Sequence, residues 1–277
     1  MLWRNRRQSG NVENRRGSGG FVAGGIGTII IAIIVWLLGG NPLEFLGSGQ
    51  MQNSENVTTN IPENDTVAQF VAVVLADTED VWDSIFRASG ETYRQPKLVI
   101  FRNSVHSACG MASEASGPFY CPGDEKVYMD LGFFDEMKSR FGAPGDFAIA
   151  YVIAHEIGHH IQNQLGIIEK ASRLKENATE KQANRIQVKV ELQADFLAGV
   201  WAHYMSKYRN ILEEGDTEEA LNAASAVGDD RLQQQFQGRV VPDAFTHGTS
   251  EQRMRWFKKG YQSGDINQGN TLDLENL

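Results

Sequence analysis

The longest apolar run is Phe21 to Gly40, FVAGGIGTIIIAIIVWLLGG, inside a stretch with no charged residue between Arg16 and Glu44. About twenty apolar residues suffice to cross the hydrocarbon of a bilayer, so this pattern predicts a single transmembrane helix over 21–40. Residues 41–63 are polar, dotted with glycine and without periodicity, the pattern of a flexible linker. From Asn64 the pattern becomes helical. Val67, Phe70, Val71, Val74, Val81 and Ile85 recur at helical spacing up to Ala88, with Asp77-Thr78 as an expected break between two helices. Lys97–Phe101 and Lys126–Asp130 read as short strands. Phe133–Phe141 reads as a helix, and Gly142-Ala-Pro-Gly145 as a turn before a helix capped at Asp146. That helix, DFAIAYVIAHEIGHHIQNQL, is apolar almost all round and should stop at Gly166. Further helices are predicted over 178–208, 217–235 and 250–261. The expected body, residues 64–277, is mainly α with a small β-sheet (α+β).

The chain has 277 residues, 41% of them apolar and 22% charged, which excludes a wholly disordered or collagen-like protein. A mean hydropathy of −0.35 excludes a polytopic membrane protein. The net charge of −9 is unevenly spread, because residues 1–20 hold five arginines and one acid. A basic tail followed by an apolar span and an acidic body predicts a cytoplasmic amino terminus and an extracytoplasmic body, in the periplasm or at the cell surface. A cleaved signal peptide is the competing reading. Against it stand the long charged stretch, the length of the apolar span and the lack of an A-x-A site. An acidic body also argues against nucleic acid as a partner. Cys109 and Cys121 fall in a Gly, Ser and Pro-rich segment, and an oxidising compartment would join them in a disulfide, the other reading being two buried thiols. Two cysteines cannot build a structural zinc site, so any metal must rest on histidine and carboxylate.

His155-Glu-Ile-Gly-His159 places two imidazoles at i and i+4, one turn apart on one helical face, where both reach one ion. Glu156 stands beside them. A histidine pair and a glutamate inside an apolar helix are costly to desolvate without partners, and a bound cation supplies them. A catalytic zinc usually takes three protein ligands and leaves one position open. An extension with glycine at 162 and histidine at 165 is excluded, because those positions hold Gln162 and Leu165. The other solution is a carboxylate on a later helix. Glu191 and Asp195 sit at i and i+4 amid apolar neighbours in VELQADFLAG. Glu191 is the expected third ligand, with Asp195 accepting the spare ring N–H of His155. His160 points about 100° away from His159 and is expected to pack or hydrogen-bond, and His106 and His203 are read as structural.

HEIGHH with ELQAD resembles the gluzincin metallopeptidases that carry E-x-x-A-D on the third-ligand helix. GPFYCPGDEKVYMD, AYVIAHEIGHHIQNQLG, ELQADFLAGVWAHY and FTHGTSEQRMRWFKKGY are similar to the bacterial neutral zinc metallopeptidase family of single-pass envelope proteins. The resemblance covers residues 65–262 together with the basic tail and the apolar run. It implies a zincin-like catalytic domain, a Zn²⁺ cofactor, a peptide or protein substrate and a general base at Glu156. It also implies that His247 and Arg253, six positions apart, face the reacting carbonyl, although Gly248 stands where the family's usual proline would follow the histidine. By the same analogy the strand Lys126–Asp130 is expected to offer its edge to an extended substrate. The function implied is a membrane-anchored zinc metalloendopeptidase. Two alternatives stand beside it. One is a non-catalytic, metal-stabilised binding protein of the envelope, for which an intact Glu156 has no use. The other is a proenzyme masked by its own linker or cysteine loop.

Overall fold

The computed structural model describes residues 1–16, 59, 61–113, 116–275 and 277. The apolar run 21–40 and nearly all of the linker 41–63 lie outside the described residues, and no described helix is long and apolar enough to cross a membrane. The body is mainly helical with a small sheet. Its elements are β1 (Val12–Asn14), α1 (Thr66–Ala88), β2 (Lys97–Phe101), β3 (Ser104–Ser107), β4 (Gly110–Ser113), β5 (Phe119–Cys121), β6 (Lys126–Asp130), α2 (Phe133–Ser139), α3 (Asp146–Gln164), α4 (Ile167–Lys175), α5 (Glu180–Tyr204), α6 (Asp216–Ala226), α7 (Asp229–Gln237) and α8 (Ser250–Ser263).

Four strands form one sheet in the order β1-β2-β6-β5. β1 and β6 run parallel to β2, and β5 runs antiparallel to β6, with Phe119 opposite Tyr128. β6 therefore lies inside the sheet with a neighbour on each side. This corrects the expectation that Lys126–Asp130 offers an edge, because the free edge beside the helices belongs to β5. The β3–β4 hairpin pairs separately, and Cys109 at its tip is joined to Cys121 of β5 by the expected disulfide.

α3 runs through the middle of the helical layer. Phe147, Tyr151, Ile153, Ile157 and Ile161 are buried against Trp201, Phe196 and the α6 alanines, as its all-round apolar pattern requires. α5 and α8 approach more closely than ordinary side chains permit. A Cβ on Gly199 would lie 2.0 Å from the Phe257 carbonyl oxygen, and one on Gly260 2.0 Å from that of Phe196. The two glycines therefore let backbone meet backbone, which fixes α8 over α5.

Residues 1–16, expected to lie apart as a basic tail, are part of the body. β1 pairs with β2, and two of the arginines read as a topogenic signal, Arg6 and Arg7, are held by acids of α1. Arg6 makes a bidentate pair with Asp77 at 2.7 and 2.8 Å, and Arg7 reaches Glu79 at 3.0 Å and Asp80 at 2.7 Å. Burial raises the Glu13 carboxyl, but Arg15, Lys126 and Lys97 outweigh it and hold its pKa at about 2. The amino group of Met1 reaches Asp146 at 2.8 Å and Asp216 at 3.1 Å. With β1 in the sheet, residues 1–16 pack within the same folded body as the helices.

The same contacts explain two differences in the helices. α1 is continuous through Asp77-Thr78, since Thr78 donates to the Leu75 carbonyl at 2.7 Å and Asp77 is spent on Arg6. The helix predicted over 217–235 is two helices, α6 and α7, separated at Gly228. Burial pushes the Asp77 carboxyl up to about 7 even with Arg6 and Arg209 beside it, so Arg6→Ala, which removes its bidentate partner, is expected to lower the unfolding free energy by roughly 1–3 kcal/mol. Exposed Arg4→Ala is expected to stay within about 0.5 kcal/mol of the native chain, with urea denaturation as the measurement.

Candidate active site

α3 and α5 cross where Gly158 meets Ala194, and a Cβ on Gly158 would stand 3.0 Å from the Ala194 carbonyl oxygen. The glycine within HEIGH thus lets the two helices close until His155 and His159 of α3 face Glu191 of α5. One ligand atom from each lies within 4.8 Å of the others. His155 Nε2 is 3.2 Å and His159 Nε2 3.4 Å from the same oxygen, Glu191 Oε2. The predicted triad is therefore brought together.

The far side of each ring is also held. His155 Nδ1 donates to Asp195 Oδ1 at 2.8 Å, as expected for Asp195. His159 Nδ1 donates to Gln162 Oε1 at 2.8 Å, and the Gln162 amide NH₂ donates onward to the Val190 carbonyl at 2.7 Å and to Gln193 Oε1 at 3.0 Å. With both Nδ1 protons committed to acceptors, both Nε2 atoms of the neutral rings present lone pairs. They face a carboxylate oxygen that also only accepts. Such a donor set is satisfied by a cation, and two imidazoles with one carboxylate suit zinc.

Burial lowers the His155 pKa, but Asp195 and Glu191 outweigh it and raise it to about 9. Burial raises Glu191, but the two histidines pull it well below the ordinary range. The two shifts record one mutual attraction, between imidazole and carboxylate groups buried together.

Arg253 of α8 reaches the site in a role other than the one expected. Its Nε and Nη2 hold Asp195 Oδ2 and Oδ1 at 2.8 and 2.9 Å, and Nη1 donates to the Val227 carbonyl at 3.2 Å. Tyr151 donates its hydroxyl to Asp195 Oδ1 at 2.5 Å. Arg253 is 3% exposed with its donors engaged, so it positions Asp195 and, through it, His155. Burial raises the Asp195 carboxyl, but Arg253 and His155 outweigh it and hold its pKa at about 2.

His247 is exposed on the loop before α8. The Asp229 carboxylate organises this loop, with Oδ2 accepting from the backbone N–H groups of Thr246, His247 and Gly248 at 2.7, 2.6 and 3.0 Å. Gly248 has φ +93° and donates its N–H, neither of which proline can do, so this loop needs glycine where the family pattern has proline. His247 Nδ1 faces Asp229 Oδ1 at 3.2 Å, and Nε2 has no hydrogen-bond partner among the described residues. Burial lowers the imidazole, but Asp229 and Glu191 outweigh it and raise its pKa.

These groups line a cleft of about 460 Å³ that also contains Glu156, Pro118, Phe119, Phe133 and Leu232. Glu156 is 8% exposed, and burial pushes its carboxyl upward. His160 points away from the cleft. Its Nε2 donates to the Arg94 carbonyl at 2.5 Å and its Nδ1 accepts from Tyr120 at 3.1 Å, which bolts β5 to α3. His203 donates to the Tyr261 carbonyl at 2.7 Å and is structural as expected.

Sequence reasoning missed Tyr151, Gln162, Gln187 and Asp229. Tyr151 and Gln162 stand four before His155 and three after His159, and Gln187 stands four before Glu191, so helical spacing could have found all three. Asp229 is joined to His247 only by tertiary folding.

A family model described as "Putative neutral zinc metallopeptidase" matches residues 1–272. The uncharacterized protein YpfJ of Escherichia coli (strain K12) is 52% identical over 284 aligned residues, covering 98% of this chain and 99% of that protein. The uncharacterized protein Rv2575 of Mycobacterium tuberculosis (strain ATCC 25618 / H37Rv) is 41% identical over 219 residues, 76% of this chain and 73% of that protein. No solved structure matches. Asp195→Asn removes the anionic acceptor behind His155 and leaves Arg253 without its counter-ion. Zinc affinity, measured by competition with a chromogenic chelator, is expected to fall about 10–100-fold, and the unfolding midpoint to fall with it.

Proposed function

Because the chain belongs to the neutral zinc metallopeptidase family, we propose that it is a zinc metalloendopeptidase whose ion is held by His155, His159 and Glu191. The observation that carries this reading is the convergence of both Nε2 lone pairs on Glu191 Oε2, with Glu156 beside them in an open cleft. A zinc ion bound there polarises a peptide carbonyl and lowers the pKa of a bound water toward neutrality.

The chain's own groups do the rest. An extended peptide pairs with the free edge of β5 and lies across the cleft, which Phe119 and Tyr120 of that strand line. Glu156 takes a proton from the attacking water and delivers it to the leaving amine. A buried carboxyl with a raised pKa suits this exchange. His247 directs Nε2–H toward the oxygen on which negative charge develops, its ring oriented by Asp229. Arg253 acts one step back, through Asp195.

A catalytic reading is favoured over a metal-stabilised binding protein by Glu156. It is buried beside the triad, ligates nothing in it and lines the cleft. The apolar run 21–40 supports attachment to a membrane, with residues 1–16 and the catalytic body on one side of it. Cysteines introduced at exposed Leu2 and exposed Lys258 are then expected to react equally with an impermeant maleimide in intact cells, and labelling of one alone refutes the arrangement.

Cleavage of casein that a chelator abolishes and zinc restores is the direct test of the activity. Glu156→Gln is expected to keep stoichiometric zinc and lose hydrolysis, and full activity in that variant refutes the general-base role. His247→Ala is expected to lower kcat about 10²–10³-fold with little change in KM. The raised imidazole pKa means that the charged donor persists to higher pH than in a free imidazole and is lost as pH rises further. The alkaline limb of the kcat profile should therefore flatten in His247→Ala, and an unchanged limb counts against the assignment.

A further inference from the structure

The carboxylate of Glu191 has two equivalent oxygens on a soft terminal torsion, so packing alone leaves open which oxygen meets an ion and whether both do. His155 and His159 each have one support behind the ring, Asp195 and Gln162. Glu191 has one too. The amide Nε2 of Gln187, one turn earlier on α5, donates to Glu191 Oε1 at 2.7 Å, while Oε2 faces both histidines. At the other end of that amide, Gln187 Oε1 accepts from the ammonium of Lys175, the last residue of α4. An ammonium only donates and a carboxylate only accepts. Gln187 can therefore stand in one sense alone, with oxygen toward Lys175 and NH₂ toward Glu191.

We propose that Gln187, oriented by Lys175, is a positioning residue that ties up Glu191 Oε1 and leaves Oε2 as the single oxygen offered to the metal. The proposal rests on the metal reading above and deepens it. An exposed Gln–Glu pair at i and i+4 adds only a few tenths of a kcal/mol to a helix. This one differs because Glu191 is 6% exposed, so its second oxygen has no ready access to water and a lost donor is not replaced. Lys175 and Gln187 both line the cleft with Glu191. Burial lowers the Lys175 ammonium pKa while Glu191 raises it, which fits a cation half withdrawn from water toward that carboxylate.

The test uses the full chain stripped of metal. Zinc affinity is read by competition with a chromogenic chelator, alongside the thermal midpoint of each metal-free protein and the visible absorption of each Co²⁺-loaded protein. Gln187→Met keeps the volume and removes the donor. It is expected to weaken zinc about 10–100-fold while the metal-free protein stays folded, its midpoint lowered by the unpartnered oxygen. Its Co²⁺ band should weaken as Glu191 turns to offer both oxygens and the coordination number rises. Gln187→Glu, equal in shape but unable to donate, is expected to lose at least as much. Lys175→Met frees the amide to turn and is expected to cost a smaller, several-fold loss. Native affinity and an unaltered Co²⁺ spectrum in Gln187→Met overturn the proposal, as does equal affinity in Gln187→Glu and the native chain. Should Gln187→Met fail to fold, Lys175→Met decides, and native affinity there overturns the orientation. Glu191→Ala separates this outcome from failure of the metal reading, since native zinc binding in that variant removes the metal site itself.

Discussion

The active site depends on a buried chain of charge that runs from α8 through α5 to α3. Arg253 grips both oxygens of Asp195, and Asp195 in turn fixes the tautomer and direction of His155. Each member is withdrawn from water, so the chain tolerates no slack: desolvation of an ion pair is offset only by short, complete hydrogen bonding. Tyr151 and the Val227 carbonyl complete it. The backbone geometry then follows as a requirement. The three helices have to cross at their closest possible approach, which the glycines at 158, 199 and 260 allow. A bulkier residue at any of these crossings would lengthen the chain of contacts before it touched a ligand.

The amino-terminal segment applies the same logic at the opposite end of the body. Asp77 and Glu79 are as buried as the site's own carboxylates, and Arg6, Arg7 and Ser9 supply their partners from a distant part of the chain. Met1 reaches the first residue of α3, so the segment touches the start of the helix that carries both histidines. The match of the family model from residue 1 accords with a segment that belongs to the fold. Its arginines are therefore structural counter-ions, whatever part they also play near a membrane.

What could be read from the sequence divides along a physical line. The histidine pair, Glu156, Glu191 and Asp195 were legible because each lies on a long helix whose spacing is fixed by 3.6 residues per turn. α3, α5 and α8 were found for the same reason. β2 stood out as a β-branched and aromatic run and β6 by its alternation. β1, β3, β4 and β5 are three or four residues long, too short for a periodicity to show, and β1 in addition pairs with a strand far away in sequence. α1 appeared broken because Asp77-Thr78 looks like a cap locally, and only the arriving Arg6 explains an acid inside a helix. Arg253 was read as facing the substrate, and in the fold its donors are directed at Asp195 and the Val227 carbonyl. Spacing brings a guanidinium near a carbonyl, and only coordinates reveal that its donors are already taken.

Charge explains why the supports behind the ligands differ. Asp195 is cancelled by Arg253, so this pair adds nothing net to the centre. Glu156 and Glu191 remain beside the two imidazoles, and a single divalent cation held by neutral rings would balance the two carboxylates. A carboxylate in place of Gln162 would orient His159 equally well but leave a third negative charge with no buried cation to meet it, at a cost that low local dielectric makes severe. A neutral amide behind His159, and another behind Glu191, orient their ligands without disturbing that balance. Two outer groups, Lys175 and His247, line the same cleft, where solvent screens them more and a substrate can reach them. The division of labour between charged and neutral supports is thus set by electroneutrality at one buried point, and the choice of residue at 162, 187, 195 and 253 follows from it.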